Sequence, residues 1–443
     1  MNDFLFARSQ MAMSLIFHIV FAAMGIGMPL LMAIAEGMYL RTKEPVYLDL
    51  CKRWAKGTAI LFAVGAVSGT VISFELGLLW PDFMKLAGAI IGMPFSLEGF
   101  AFFTEAIFLG VYLYGWNRVP PRVHWVSGVL VALSGMFSGI FVVTANAWMN
   151  APTGFKIVGG KITEVDPIAA ILNRASFHEV LHMTLAAFVA TGFLVAAVHA
   201  FFLLRDRENR FHRAALGIAL TLGCVCTPLQ IISGDLSARA VATLQPAKLA
   251  AMEAHYRTEA GAPLLIGGIP NDDTQTTAYA LRIPRGLSIL LAYDVNARVA
   301  GLEEIPRDQW PNVRMVHWSF DIMVGLGMVM LLLTVCASWS WLKRRRLPDT
   351  RGLLRAIVAV GPLGFVAIET GWVVTELGRQ PWIIYGVMRT HEAVTPMHGL
   401  AVPFVIFTTV YICLAVVVLF LLRRQFLETA GIKPDQPAGA GRA

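Results

Sequence analysis

Residues 11–35 read MAMSLIFHIVFAAMGIGMPLLMAIA, an uncharged run broken by one imidazole, His18. About 20 consecutive apolar residues cross a hydrocarbon core, so the run is a membrane helix. An ionisable or metal-binding group at that depth is costly unless something in the membrane uses it. The anomaly recurs: Glu98 and Glu105 share the apolar run 92–115, His182 lies in 178–203, and Glu369 in 353–376. A chain that sets carboxylates and imidazoles at membrane depth moves protons or holds a metal cofactor.

Composition agrees. With 443 residues, 56% hydrophobic and 15% charged, and a mean hydropathy of +0.63, the chain is too apolar for a soluble domain and reads as an all-α polytopic membrane protein. Its net charge of +7 sits at the ends of apolar runs, where it sets topology, and does not point to nucleic acid. Cys51, Cys224, Cys226, Cys336 and Cys413 lack metal-site spacing and read as buried thiols with no disulfide framework.

Nine runs are long enough to span: 11–35, 57–80, 92–115, 125–148, 178–203, 214–233, 317–342, 353–376 and 397–422. Lipid offers the backbone no water, so all are expected to be helices. Arg and Lys crowd every alternate link, at Arg41 to Arg53, Arg118 and Arg122, Arg205 to Arg213, Lys343 to Arg351, and Arg423 with Arg424. Those links are cytoplasmic by the positive-inside rule, which puts the N-terminus outside and the C-terminus inside. Ala33-Ile34-Ala35 could imitate a signal cleavage site, but the run is longer than a signal core and reads as a retained helix.

Four parts follow: 1–233 with helices one to six, an outer segment 234–316, 317–425 with helices seven to nine, and a tail 426–443 expected to be disordered. The outer segment exceeds an ordinary connection and is expected to be functional. Within it, QPAKLAAMEAHY at 245–256 reads as a short helix carrying Lys248 and Glu253. A second outer link, Gly378-Arg379-Gln380-Pro381-Trp382, packs a cation, an amide and an indole beside a helix-stopping proline. There is no internal repeat of the kind many transporters carry.

Counting about 1.5 Å per residue from the helix ends puts His18, His182 and Met323 near the outer ends of helices one, five and seven. Glu98 and Glu369 fall in the outer halves of helices three and eight. A lone helical histidine is usually a hydrogen-bonded core residue, and a lone methionine among 19 is usually packing. The shared depth of His18, His182 and Glu369 reverses those odds for the set, and His, Met and Glu include residue types that ligate haem iron. Glu98 and Glu105, seven apart, share a helix face about 10 Å apart, a spacing suited to a proton relay that Ser138 on helix four could extend.

These residues resemble subunit I of the cytochrome bd-type quinol oxidases over about 5–425. GRQPW at 378–382 after AIETGW, SLEGFAFFTE at 96–105, ANAWMNAP at 145–152 and QPAKLAAMEA at 245–254 carry the resemblance together. It implies nine transmembrane helices with an outer quinol loop, in a bacterial cytoplasmic (inner) membrane. It further implies three haems: low-spin b, high-spin b, and haem d or a further b. His182 and Met323 match the axial pair of the low-spin haem, His18 and Glu369 match axial ligands of the two high-spin haems, and Glu98 matches a carboxylate beside them. Glu105 with Ser138 matches the proton path from the cytoplasm. Lys248 and Glu253 match the quinol loop, while of GRQPW Arg379 and Gln380 are assigned to catalysis and Trp382 to cofactor binding.

The implied activity is oxidation of quinol at the outer face and reduction of dioxygen to water with cytoplasmic protons, generating proton motive force without pumping. The implied partners are a membrane subunit II and a very small third subunit. The outer loop and YGVMRT after GRQPW look like the cyanide-insensitive branch. Three positions depart from the pattern: Asp321 stands where many members carry Arg, Phe365 where some carry Trp, and His178 adds an imidazole one turn before His182 that could itself be the ligand. Two rival readings make different forecasts. A proton-coupled secondary transporter would show no visible absorption, and a haem-binding electron-transfer relative would show haem spectra without quinol-dependent oxygen uptake.

Overall fold

The computed structural model describes residues 2–345, 347 and 349–429, so most of the expected tail 426–443 lies outside the described residues. Among these residues, nine helices are long and apolar enough to cross a membrane. They are α1 Asp3–Thr42, α2 Pro45–Leu79, α3 Pro81–Tyr114, α4 Pro121–Asn150, α5 Ser176–Leu203, α6 Arg210–Leu244, α7 Val313–Arg344, α8 Arg351–Gly378 and α9 Ala401–Thr429.

Their ends follow local chemistry. Asn2, Asn209, Asn312 and Thr350 cap α1, α6, α7 and α8 by accepting from Leu5, His212, Met315 and Leu353 backbone N–H groups. Proline opens α2, α3 and α4, where its missing N–H is no loss. Inside α8 the helix breaks between Arg351–Val360 and Leu363–Gly378, because Gly361-Pro362 interrupts the hydrogen-bond ladder.

Several boundaries differ from the sequence expectation. Helix six continues to Leu244, so residues 234–244 are helical and the outer segment begins at Gln245. Apolar runs mark only the stretch suited to hydrocarbon, and these helices continue past it in polar sequence. The same effect moves the start of α3 back to Pro81, which places Glu98 at mid-helix and Glu105 in the half nearer the basic links. His18 likewise lies well inside α1, which starts at Asp3. Cys336 and Cys413 are exposed on helix flanks, contrary to the expectation of five buried thiols; a thiol on a lipid-facing flank is as acceptable as one in a core.

The helices that carry the odd residues meet through small side chains. A Cβ on Gly27 of α1 would come within 2.5 Å of Thr191 on α5, one on Gly192 of α5 within 2.7 Å of Gly223 N on α6, and one on Gly364 of α8 within 2.6 Å of Ala190 Cα. Such close backbone approach is how membrane helices gain dispersion contact where lipid and side chain are equally apolar. It makes α5 the centre of the bundle, with α1, α6 and α8 against it.

The basic links meet at one end. Arg53 lies over the Phe211 ring, Lys52 over Trp116, and Arg210 pairs with Glu44. At the other end Asp3 accepts from Leu400 N, Leu79 O from Thr395 N, and Met149 O from Tyr385 N. The outer segment there is built from short antiparallel ribbons, with Leu264–Ile266 paired to Leu281–Ile283 and Ile269–Asn271 to Thr276–Ala278. It is anchored on α7, where His317 Nδ1 and Nε2 face Met252 O (2.7 Å) and Gly267 O (3.0 Å). Asp321 accepts from Gly267 N at 2.6 Å. Asp321 Oδ2 also lies 3.5 Å from His317 Nε2. Asp321 thus anchors the outer segment to α7.

Candidate functional site

Two histidines are held the same way. On α1, His18 Nδ1 lies 2.9 Å from Ser68 Oγ of α2, and that hydroxyl donates to Val64 O at 2.9 Å. On α5, His182 Nδ1 lies 2.9 Å from Ser233 Oγ of α6, which donates to Gln230 O at 2.9 Å. A serine has one proton, already committed to a carbonyl, so each serine accepts from Nδ1–H. The tautomer is thereby fixed with the Nε2 lone pair directed away, the arrangement that orients an imidazole metal ligand. Gln230 Nε2 lies 3.1 Å from His182 Nε2, while Gln230 Oε1 is buried without a partner. His18 packs on Gly69, where a Cβ would come within 3.0 Å of its ring.

Glu369 on α8 is the counterpart. Both its carboxyl oxygens are buried with no hydrogen-bond partner among the described residues, a state that costs about 1–3 kcal/mol per atom unless something beyond the chain completes it. Two residues on, Gly371 lies against Met323 of α7, whose Sδ would be 3.0 Å from a Cβ there. His178, one turn before His182, is buried with both ring nitrogens unpartnered. Two histidines held at Nδ1 by serine, a thioether and an unpartnered carboxylate are a donor set that fits haem iron.

Glu98 and Ser138 are brought together, with Ser138 Oγ donating to Glu98 Oε1 at 3.1 Å. Glu105, buried, backs onto Gly135, where a Cβ would be 3.3 Å from its carboxyl oxygens.

At the end away from the basic links the structure assembles a polar knot that the sequence did not reveal. Asn150 Oδ1 accepts from Lys248 Nζ (3.1 Å), Gln245 Nε2 (3.2 Å) and Arg379 Nη1 (3.4 Å). Its Nδ2 donates to Glu179 Oε1 at 2.8 Å. Glu376 accepts from Asn146 at 2.6 Å and from Arg379 Nη2 at 2.5 Å. Two cations thus face two carboxylates. The Glu376–Arg379 spacing of three was a readable signal; Asn146 and Asn150 lay in the ANAWMNAP motif without any charge to mark them.

Lys248 and Glu253 do not pair with each other on an exposed helix. The helix there is Pro246–Met252, Glu253 is its C-terminal cap, and both side chains are buried. Lys248 joins the knot, and Gly378 leaves room for it, since a Cβ would lie 2.7 Å from Lys248 Cγ. Burial pushes the Lys248 ammonium below its usual range, countered by Glu179. Glu253 faces the other way, pushed up to about 8 by burial and then by the charge of Asp321. Beside the knot, Arg379, Gln380 and Trp382 line a cleft of about 180 Å³ with Ala247, Pro306 and Tyr385. Gln380 Oε1 accepts from Thr390 Oγ1 at 2.8 Å.

The sequence family described as cytochrome bd terminal oxidase subunit I matches residues 6–430. The chain belongs to that family. Three similar proteins are informative. A Bacillus subtilis (strain 168) chain with the provisional name cytochrome bd menaquinol oxidase subunit I is 38% identical over 432 residues, 96% of this chain and 97% of that one. The cytochrome bd ubiquinol oxidase subunit 1 of the same strain is 32% identical, covering 97% and 95%. The solved bd oxidase of Geobacillus thermodenitrificans superposes with a TM-score of 0.90 at 36% identity, covering 96% of this chain and 99% of that chain. As a bd oxidase subunit I, the chain is a multi-pass oxidoreductase of the bacterial cytoplasmic membrane and a haem-dependent terminal oxidase. The transporter reading falls with that membership.

Proposed function

We propose that the chain, with a membrane subunit II and a very small third subunit, oxidises quinol at its outer face and reduces dioxygen to water with protons drawn from the basic, cytoplasmic end. Charge separation then needs no pump, because protons are released on one side and consumed from the other. The observation that carries this reading is the matched pair of serine-held histidines together with the unpartnered Glu369 carboxylate.

In this reading His182 and Met323 would hold a low-spin b haem, while His18 and Glu369 would hold two high-spin haems, one b and the other d or b, with Glu98 beside them. Bound there, the haems would supply electron transfer and dioxygen chemistry. The chain's own residues do the rest. Arg379, Gln380 and Trp382 bind and orient the quinol ring in the outer cleft, and Lys248 and Glu253 take part in its oxidation, with Glu253 the proton acceptor. Glu105 passes protons outward to Glu98, with Ser138 donating to hold the Glu98 carboxylate toward the centre.

The test is a reduced-minus-oxidised visible spectrum of the purified complex together with oxygen uptake driven by ubiquinol or menaquinol. The expected result is low-spin and high-spin haem bands with quinol-dependent uptake. Haem bands without uptake would favour the electron-transfer relative.

A further inference from the structure

Away from these sites, one ionisable pair is buried at the basic end of the bundle. Glu36 of α1 and His124 of α4 are each about 3% exposed, and His124 Nδ1 lies 2.8 Å from Glu36 Oε1. His124 Nε2 lies 2.9 Å from Tyr112 O of α3. A carbonyl only accepts, so Nε2 carries a hydrogen. The remaining contact, Nδ1 to Oε1, then holds one proton that can sit on either atom, giving an imidazolium with a carboxylate or an imidazole with a carboxylic acid. A buried pair of this kind within a membrane bundle is costly and functional by default.

The pair lies against α3, the helix that carries Glu105. Glu36 Oε2 and Tyr112 Oη are both buried without a partner at hydrogen-bond distance among the described residues, and they face each other with Cys51 beside them, an acceptor and a donor that ordered water would bridge. Three helices frame one seam. On α3, Tyr112 and Glu105 are seven residues apart, and on α4 the glycines they pack on, Gly128 and Gly135, are seven apart as well. On α1, Glu36 is eleven residues, close to three turns, from Gly25, whose carbonyl would lie 3.1 Å from a Cβ on Gly135. The seam therefore runs from the Glu36–His124 pair to Glu105 over about 10–16 Å, a gap that needs intervening water.

We propose that Glu36 and His124 are the proton-holding station of the uptake path, loading one proton at the basic end and releasing it along the α1–α3–α4 seam to the Glu105 carboxylate. This rests on the reading of Glu105 given above. In each cycle the proton leaves the Nδ1–Oε1 contact, Glu105 becomes the acid, and the pair is refilled from the cytoplasmic side.

The experiment compares the assembled oxidase with its Glu36→Gln, Glu36→Asp, His124→Gln and Glu105→Gln variants, following haem spectra, quinol-driven oxygen uptake and its solvent deuterium isotope effect. Glu36→Gln should keep the haem spectra, lose about tenfold or more of turnover, as expected for a removed proton-transfer group, and show a larger isotope effect. Glu36→Asp, which restores the acid, should recover most of the rate. If Glu36→Gln does not assemble, His124→Gln, which keeps a donor for Tyr112 O, is read in its place. Full turnover in Glu36→Gln with slow Glu105→Gln would overturn the station while sparing the path, whereas full turnover in both would overturn the path itself. Equal loss in Asp and Gln variants with no change in isotope effect would mark a structural pin and overturn the proposal.

Discussion

Ser233 Oγ stands 2.9 Å from His182 Nδ1, and its own proton is committed to the Gln230 carbonyl. One turn of α6 thus decides which nitrogen of a histidine on α5 keeps its lone pair. The relation repeats between Ser68 and His18 on α2 and α1, so two sites use the same device.

Ser233→Ala should therefore leave the helices in place and free the His182 ring to rotate and change tautomer. Loss of such a support group weakens a metal site by about 10–100-fold. The low-spin haem signal per complex, measured in reduced-minus-oxidised spectra, should fall or shift, with high-spin bands retained. An unchanged low-spin signal and midpoint potential would show that Ser233 does not orient the ligand.

Gly371→Ala tests Met323. The added methyl would sit 3.0 Å from Sδ, and a flexible thioether moves aside at little cost to folding. The thermal midpoint should change little, whereas the low-spin spectrum should gain high-spin character and bind carbon monoxide. Retention of a pure low-spin spectrum would argue against Met323 as the axial ligand.

Lys248 is a buried cation in a knot whose charges balance, so removing it alone leaves Glu179 uncompensated. Breaking a buried pair in this way costs about 3–5 kcal/mol, and Lys248→Met should assemble poorly. Adding Glu179→Gln should restore assembly, read as yield of haem-loaded complex, but not quinol-driven turnover. If the double variant turns over normally, Lys248 serves the fold alone.

The nine helices were legible because lipid imposes one rule on every span: an uncharged run must be long enough and helical. Their ends were not, since segments such as 234–244 of α6 leave the hydrocarbon while remaining helical, and no hydropathy change marks where the helix stops. His18, His182 and Glu369 stood out as polar groups in apolar surroundings. Ser68, Ser233 and Asn150 did not, because serine and asparagine are unremarkable in a membrane helix until the partner across the interface is known. Lys248 and Glu253 were found as a pair but belong to opposite faces of the short Pro246–Met252 helix, which only the packing of Asn150 on one side and Asp321 on the other distinguishes.

Glu253 gives the activity a pH signature. Burial, then the negative charge of Asp321, raises its carboxyl to about 8, so near neutrality it is mostly protonated and unable to accept a proton. If it is the base for quinol oxidation, kcat/KM for quinol should rise with pH and level off above about 8. Asp321→Asn removes the nearby negative charge, which favours the Glu253 carboxylate and lowers its pKa. The rise should then begin at lower pH, while Glu253→Gln should flatten it. The measurement is the pH profile of quinol-dependent oxygen uptake in the three proteins, with haem spectra recorded at each pH. A profile that Asp321→Asn leaves in place and Glu253→Gln leaves steep would assign the proton acceptor to another group.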